Sequence, residues 1–282
     1  MPHWDFPGSD PIDASVDLAF GRVTLSAGPV SDTTVNVAPS RFSRNADKMI
    51  DEVRVAFDHG RLEVTGPRRP GLFRGHASFD VTITLPEGSR CMVRTGAADL
   101  TSNGELGALD AHTASGDITV ARVTGHFQAQ TSSGDIRLDE TGTAEIRSAS
   151  GDVRLRWARD DVSVRTASGD VTISRADRDV AGVTASGDFR VSSVARGSTE
   201  VSTASGDVVV GVNPGVGVYL DLSSATGSAS SQLEETGPSD DIALGVRCRT
   251  ASGDIRIIRA SAAEPTQARN DTPTAIEPTS SE

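Results

Sequence analysis

Short runs of alternating apolar and polar residues follow one another along most of the chain, and this period of two predicts β-strands. Three consecutive segments between residues 116 and 166 read GDITVARVTGHFQAQT, GDIRLDETGTAEIRS and GDVRLRWARDDVSVRT. Each segment contains two alternating runs rich in β-branched residues. Gly, Asp and Thr recur inside every segment, which disfavours helices. The pattern therefore predicts an all-β protein.

A five-residue motif, T-x-S-G-D followed by Ile, Val or Phe, separates these segments and occurs seven times with one Thr replaced by Ser. Its glycines are spaced by 18, 17, 18, 18, 19 and 47 residues, at positions Gly116, Gly134, Gly151, Gly169, Gly187, Gly206 and Gly253. Two degenerate copies complete the series, TGAADL with Asp99 and SATGSAS with Gly227. A short fixed period is typical of repeat architectures.

One repeat is too small to bury its own apolar face, so it must stack on its neighbours. The predicted fold is a single-stranded β-solenoid, or β-helix, of roughly 18-residue rungs. We expect a β-rich N-terminal cap over residues 1–95, solenoid repeats over 96–260 and a disordered tail over 261–282, which is rich in Pro, Thr, Ser and Glu. Within the cap, FDHGR between two alternating runs predicts a hairpin.

The alternation changes phase at the motif. If alternation continues from Val164, Thr166 and Ser168 point inward. In the strand after the motif, however, Val171 and Ile173 are the residues expected to point inward. We expect Gly169 to absorb the shift with a positive φ. We also expect the motif aspartate to accept hydrogen bonds from nearby backbone amides.

Charge and composition narrow the function. The formal net charge is −12, which disfavours binding to nucleic acid and to anionic membrane surfaces. The N-terminal residues show no secretory signal and no stretch is long enough for a membrane span, so a cytoplasmic location is expected. Cys91 and Cys248 are the two cysteines and are expected to be free thiols.

The stretch DVTITLPEGSRCMVRTGAADL, followed by the serial T-x-S-G-D units, resembles the bacterial putative-adhesin β-repeat family, a domain of unknown function. The stretch VNPGVGVYLDLSSATGSASSQLEET and the later VRCRTASGDIRIIR resemble the closing rungs of its actinobacterial members. The resemblance covers roughly residues 12–259. It implies a β-solenoid and neither an established catalytic activity nor site residues to transfer.

The motif aspartates form the main candidate site: Asp117, Asp135, Asp152, Asp170, Asp188, Asp207 and Asp254. A column of carboxylates one strand apart could hold Ca²⁺, which prefers oxygen ligands. The alternative is a column of structural turns, partly neutralised by arginines two residues later in the sequence, namely Arg137, Arg154, Arg190 and Arg256. The structural alternative is favoured, because calcium-binding nonapeptide repeats have a tighter glycine-rich period.

The sequence gives little support for catalysis or for a histidine metal site. Polysaccharide-cleaving β-helices use a particular pair of carboxylates, whereas the acids here are repeated. His112 and His126 lie in the first repeats without a third metal ligand in phase. We therefore predict a non-enzymatic structural or interaction module without a cofactor or metal, which presents a repetitive face to a protein partner or to itself. The alternatives are a cation- or ligand-binding module that uses the Asp and Thr columns and, last, a polysaccharide-active enzyme. Envelope association would occur only through a partner.

Overall fold

A computed structural model describes residues 2–40, 49–67, 77–234 and 242–260, and within this part the protein is built from 21 β-strands and a single 3₁₀ turn at Ile50–Glu52. The first six strands are β1 His3–Pro7, β2 Asp13–Gly28, β3 Asp32–Pro39, β4 Arg54–Asp58, β5 Arg61–Thr65 and β6 Phe79–Pro86. The next eight are β7 Arg90–Leu106, β8 Ala108–Thr113, β9 Ile118–Thr131, β10 Ile136–Ser148, β11 Val153–Ala158, β12 Val162–Thr166, β13 Val171–Ala176 and β14 Val180–Ser186. The last seven are β15 Phe189–Val194, β16 Gly197–Ser205, β17 Val208–Val212, β18 Gly217–Ser224, β19 Ala229–Ser231, β20 Ile242–Ser252 and β21 Ile255–Arg259. The predicted all-β class is confirmed; the tail predicted over 261–282 lies outside the described residues.

The strands form two parallel stacks that enclose one core. Strand segments that precede a Ser-Gly-Asp corner pair with one another in what we call the front stack, as in Ile146↔Val164 of β10 and β12. Segments that follow a corner pair in the rear stack, as in Val153↔Val171 of β11 and β13. We call a front segment and the rear segment after it a layer. Identical positions of successive layers therefore lie side by side and form columns along the molecule.

The core is filled mainly by Val, Ile, Leu and Ala from the inward-facing positions of both stacks. Where a larger residue enters, the facing position is small. Phe189 of the rear stack is fully buried, and its ring occupies the space that a side chain at Gly182 of the front stack would need. Cys91 and Cys248 are free, as predicted. Both are buried in this core, and burial raises the pKa of each thiol to about 12.

The N-terminal end is closed by antiparallel strand pairs. β3 pairs antiparallel with β6, and β1 pairs antiparallel with β3, which extends the rear stack. In the front stack β4 pairs antiparallel with β5. The turn between β4 and β5 contains His59 and Gly60, both with positive φ, so the predicted hairpin is confirmed with a type I′ geometry. Phe6 of β1 stacks on Phe57 of β4 with ring centroids 4.8 Å apart.

Layers at both ends are out of sequence order. β2 pairs in parallel with β5 and β6 on one side and with β7 on the other, so it is inserted between segments that follow it in the chain. At the other end, β20 lies between β16 and β18, and β21 lies between β17 and β19. The sequence spacing places the Gly227 corner between those of Gly206 and Gly253, whereas the structure places Gly253 between the other two. The first and the last complete layers of the chain are thus both held between two others.

Candidate functional site

The aspartates of the repeated corner form a continuous hydrogen-bonded column. The Oδ1 atom of Asp99 accepts a hydrogen bond from the backbone N–H of Asp117 at 3.1 Å, and the Oδ1 atom of Asp117 accepts one from Asp135 at 2.9 Å. The same bond, between 2.9 and 3.1 Å, joins each later pair of neighbours through Asp152, Asp170, Asp188, Asp207 and Asp254. Each carboxylate therefore binds the backbone of the next layer rather than its own turn. The prediction that the motif aspartate accepts backbone amides is confirmed.

The far end of this column departs from aspartate. Ser228 occupies the position after Asp254 in the stack, and its N–H and hydroxyl both donate to Asp254 Oδ1, at 3.1 and 2.9 Å. These bonds and the guanidinium of Arg256 lower the pKa of the Asp254 carboxyl. Ser228 belongs to the last layer, where no further layer follows among the described residues. Aspartate is therefore present only where a following N–H is there to bind.

Arginines on the rear face pair with the second oxygens of several of these carboxylates. Arg137 lies 2.8 Å from Asp135 Oδ2, Arg154 lies 3.0 Å from Asp152 Oδ2, and Arg256 lies 3.2 Å from Asp254 Oδ2. The predicted neutralisation is confirmed for these three arginines. Within the described residues Arg190 has no such ion pair, so the prediction is wrong at that position.

The glycine of the corner is required by close stacking, not by its φ. A Cβ on Gly134 would overlap the carbonyl oxygen of Gly116, and one on Gly151 would overlap that of Gly134. The same overlap recurs at each corner up to Gly227, whose Cβ would meet the carbonyl of Gly253. Among the motif glycines only Gly206 and Gly253 have positive φ. The expectation that Gly169 absorbs the phase shift with a positive φ is therefore wrong.

The first residue of the motif closes the corner from inside. Thr166 is buried and its Oγ1 accepts a hydrogen bond from the N–H of Gly169 at 3.1 Å. The equivalent bonds join Thr113 to Gly116, Thr131 to Gly134, Ser148 to Gly151 and Ser224 to Gly227. Ser168 is exposed, so its predicted inward orientation is wrong. The alternation of inward- and outward-facing residues changes phase between Thr166 and the buried Gly169. The backbone turns there, so that the Gly169 N–H reaches the Thr166 hydroxyl.

This geometry leaves the carboxylates engaged in backbone and arginine contacts. Within the described ranges, no group of three or more His, Cys, Asp and Glu side chains is arranged to hold a metal ion. His112 pairs with Asp110 at 2.8 Å and His126 contacts the Thr143 hydroxyl at 2.9 Å, so the two predicted histidines have separate partners. An open groove of about 440 Å³ lies near them on the front stack, with Met92 and Ala108 among its lining residues, away from the aspartate column.

The opposite corner contains a charged column that the sequence analysis missed. Glu105, Arg122, Glu140, Trp157 and Arg175 occupy equivalent positions in five successive layers. Arg122 lies 3.3 Å from Glu105 and 3.0 Å from the almost fully buried Glu140. Hydrogen bonding to Glu105 and the charge of Glu140 raise the pKa of the Arg122 guanidinium. Glu140 also forms an ion pair with Arg159.

Trp157 continues this column between two guanidinium groups. The guanidinium carbons of Arg159 and Arg175 lie 4.6 and 4.8 Å from its ring, and its indole N–H donates to Asp177 at 2.9 Å. The only sequence signal for this arrangement is that the residues lie 17 or 18 positions apart, in phase with the motif. Its members share no residue type, so pattern analysis does not group them.

The last layer, formed by β18 and β19, is the least covered part of the two stacks as far as the structure describes them. β18 pairs with β20 and β19 pairs with β21, each along one edge. Val218, Leu220 and Leu222 stand over the buried Leu244, Val246 and Cys248 but are themselves only partly buried. The described part of the chain contains no helix of sufficient length and apolarity to span a membrane.

Comparison with known proteins establishes the family. The Toastrack DUF4097 family matches residues 21–257, which extend from within β2 to within β21. The chain belongs to the Toastrack DUF4097 family. The resemblance to a family of unknown function is confirmed to this extent, whereas the actinobacterial type stays a prediction. A search of curated proteins finds no match.

Several solved structures are similar to this Toastrack chain at low identity. A "putative adhesin" from Bacteroides fragilis is 13% identical, with a TM-score of 0.48 over 91% of this chain and 96% of that one. A "putative lipid binding protein" from Parabacteroides distasonis is 13% identical, with a TM-score of 0.45 over 92% and 96%. A "putative adhesin" from the same species is 13% identical, with a TM-score of 0.41 over 90% and 96%.

Proposed function

We propose that this chain is a non-enzymatic interaction module, a β-solenoid of roughly 18-residue rungs with an N-terminal β cap over residues 1–95, repeats over 96–260 and a tail beyond. In this proposal the layers described above are the rungs. The module presents its regular faces and its last strand edge to a protein partner or to a second copy. We further propose that it acts in the cytoplasm and without nucleic acid, membrane insertion, cofactor or metal.

The observation that supports this function is the outer edge of β18 and β19, with which none of the described strands pairs. An unpaired strand edge presents a row of backbone donors and acceptors that another strand can bind, and this is a recurrent mode of protein recognition. Tyr219 projects from the same layer with 59% of its surface exposed. Exposed aromatic side chains are enriched at protein interfaces.

The aspartate column is assigned a structural role in this proposal. Asp135 illustrates it: one carboxylate oxygen binds the N–H of Asp152 and the other pairs with Arg137. A calcium ion would have to displace such bonds. Calcium added to the full chain is therefore expected to leave the melting temperature and the calorimetric baseline unchanged. A rise in melting temperature with added calcium would instead support the cation-binding alternative.

Site-specific photo-cross-linking of the full chain in its source cells tests the proposed function. The cross-linking side chain is placed on the rear face at Thr119, on the front face at Arg165 or on the last layer at Tyr219, all exposed positions. At least one position is expected to give a reproducible covalent product with a protein, either another chain or a second copy. Failure at all three positions, with the chain folded and expressed, would overturn the proposal.

A further inference from the structure

The end of the two stacks formed by β18 and β19 exposes two strand edges side by side. Within the part of the chain that the structure describes, no strand pairs with the outer edge of either. β18 is eight residues long with a register shift between Gly217 and Val218, β19 has three residues, and the described residues from 216 to 234 include no proline. Natural proteins commonly protect an edge of this kind with charge, proline, a bulge or extreme shortness.

The opposite end of the molecule shows that protection. Its outermost strands β1 and β4 have five residues each and run antiparallel to the strands they cover. β1 ends at Pro7, and the stacked rings of Phe6 and Phe57 close the space between the stacks. At the β18–β19 end, by contrast, the described residues provide neither an antiparallel covering strand nor a stacked aromatic pair, so the edge of the eight-residue β18 is open to another strand.

Apolar side chains of β18 continue the inward-facing columns of the core up to this end. Leu220 continues the inward column of Val246, and Leu222 continues that of Cys248, yet both leucines remain partly exposed. Ser231 of β19 continues the column of the buried Ile257 and is exposed. A partner that stacked on this end would extend the core by one further layer.

The charge at this end favours a second copy of the same chain. The protein has a net charge of −12, but residues 216–234 contain only two charged side chains, Asp221 and Glu234. Asp221 is paired with Arg247 at 3.0 Å and with Arg249 at 3.7 Å in the layer beneath. The column of carboxylates also ends in the neutral Ser228. Over their described residues, two such ends can approach with less repulsion than the rest of the surface would cause.

We propose that two copies associate end to end through β18 and β19, an inference that rests on the proposed interaction function and names its partner. A second copy presents two strand edges with the same separation, so a twofold arrangement pairs β18 with β18 and β19 with β19. With a strand of about 26 Å and a width of about 20 Å, each copy would bury about 500 Å². The total of about 1,000 Å² lies at the lower limit of specific interfaces, so the dimer is concentration-dependent.

Sedimentation of the full chain over a wide range of concentrations tests this proposal. The wild-type chain is expected to change from monomer to dimer as its concentration rises. Ser231→Asp places a carboxylate at the centre of the end, where the monomer leaves it in water and the dimer would bury it. The variant can still accept the hydrogen bond that Leu233 N–H now donates to Ser231. Its self-association is expected to be weaker by about tenfold or more.

Two matched variants separate the position from the charge. Ser231→Asn has a similar shape without the charge and is expected to dimerise like the wild type. Ser174→Asp adds the same charge at an exposed position of β13 on the rear face and is also expected to dimerise. Circular dichroism and the melting temperature verify that all variants are folded.

Two outcomes would overturn the end-to-end proposal. A wild-type chain that stays monomeric at every concentration would exclude a second copy as the partner. A dimer that Ser231→Asp leaves intact would show that another surface carries the contact. Neither outcome overturns the interaction function, which fails only if photo-cross-linking from all three surface positions finds no protein.

Discussion

The two corners of each layer are built by different means, although both connect the same two stacks. At the motif corner, one set of residues recurs from layer to layer: a Thr or Ser whose hydroxyl accepts the glycine N–H, as Thr166 does, a glycine beneath a carbonyl, and a carboxylate that binds the next layer. The hydroxyls of Thr184 and Thr203 are exceptions, without a hydrogen-bond partner among the described residues. At the opposite corner the column changes from Glu105 to Arg122, Glu140, Trp157 and Arg175. There each side chain is matched to its neighbours.

The contrast indicates what limits sequence variation at each corner. At the motif corner the backbones of successive layers approach so closely that only glycine fits, and the restriction acts at every corner that contains the Ser-Gly-Asp motif. The degenerate copy with Asp99 has Ala98 at this position. At the opposite corner a similar approach occurs at Gly107, Gly125 and Gly142 but does not continue along the column, since Asp160 follows Gly142. Side chains there can vary as long as charge is balanced with the adjacent layers. Regularity in this chain therefore marks a steric requirement.

The largest effect is expected for Gly151→Ala at the motif corner. The new Cβ would overlap the carbonyl of Gly134, and neither backbone can move without breaking the bond from Asp152 N–H to Asp135. We expect the free energy of unfolding to fall by about 3 kcal/mol. Denaturant unfolding measures this change.

Gly245→Ala is the matched control for that variant. A Cβ at Gly245, in β20, would have no atom within 4 Å, and its φ is not positive. We expect its unfolding free energy to stay within about 0.5 kcal/mol of the wild type. Equal losses at Gly151 and Gly245 would contradict the steric account of the motif.

The next largest effect is expected at the opposite corner, where Glu140→Gln removes the carboxylate that pairs with both Arg122 and Arg159. Glu140 is almost fully buried but both arginines are about half exposed, so solvent offsets part of the loss. We expect the unfolding free energy to fall by about 2 kcal/mol. High salt should reduce this difference between variant and wild type. A loss that salt leaves unchanged would mean that packing, not charge, holds this corner together.

A comparison of two substitutions at Asp152 sharpens the role assigned to the carboxylate column. Asp152→Ala removes the acceptor for the N–H of Asp170 and the partner of Arg154. We expect a loss of about 1 kcal/mol from unfolding measurements, because the side chain is about one third exposed. Asp152→Asn keeps an oxygen acceptor and should lose clearly less. If the two variants lose the same stability, the arginine pair, not the backbone bond, is the important contact.

Much of the motif corner could be predicted from the sequence because its requirements repeat. The period located every aspartate, and short-range turn chemistry indicated backbone acceptors. The sequence of a single turn favours a role for glycine in φ, because the approach of Gly151 to Gly134 depends on the stacking of layers. Strict alternation predicts that Ser168 points inward, because it ignores the turn that begins after Thr166.

The opposite corner and the order of the layers could not be predicted in the same way. Glu140 and Trp157 lie side by side in the folded chain, but the residue type at one position does not predict the residue type at the other. The insertion of β20 between β16 and β18 reverses the usual tendency of consecutive segments to be neighbours. No local feature of the sequence distinguishes the layer that ends the stack from the layer inserted before it, apart from Ser228 in place of aspartate.

The smallest predicted effect concerns that final position of the motif column. Asp254 accepts two hydrogen bonds from Ser228 and pairs with Arg256, and these contacts lower the pKa of its carboxyl in the folded chain. Because the folded pKa lies below the unfolded value, the contribution to stability is present above about pH 4 and is lost as pH falls through the folded pKa. The last layer should therefore loosen in acid.

NMR titration of the Asp254 carboxyl and the Ser228 amide measures the protonation of Asp254 and the loosening of the last layer. Ser228→Ala removes the hydroxyl and should move the Asp254 pKa part of the way back to its ordinary value. If the Asp254 pKa does not change in this variant, the shift comes from Arg256 and the Ser228 backbone alone.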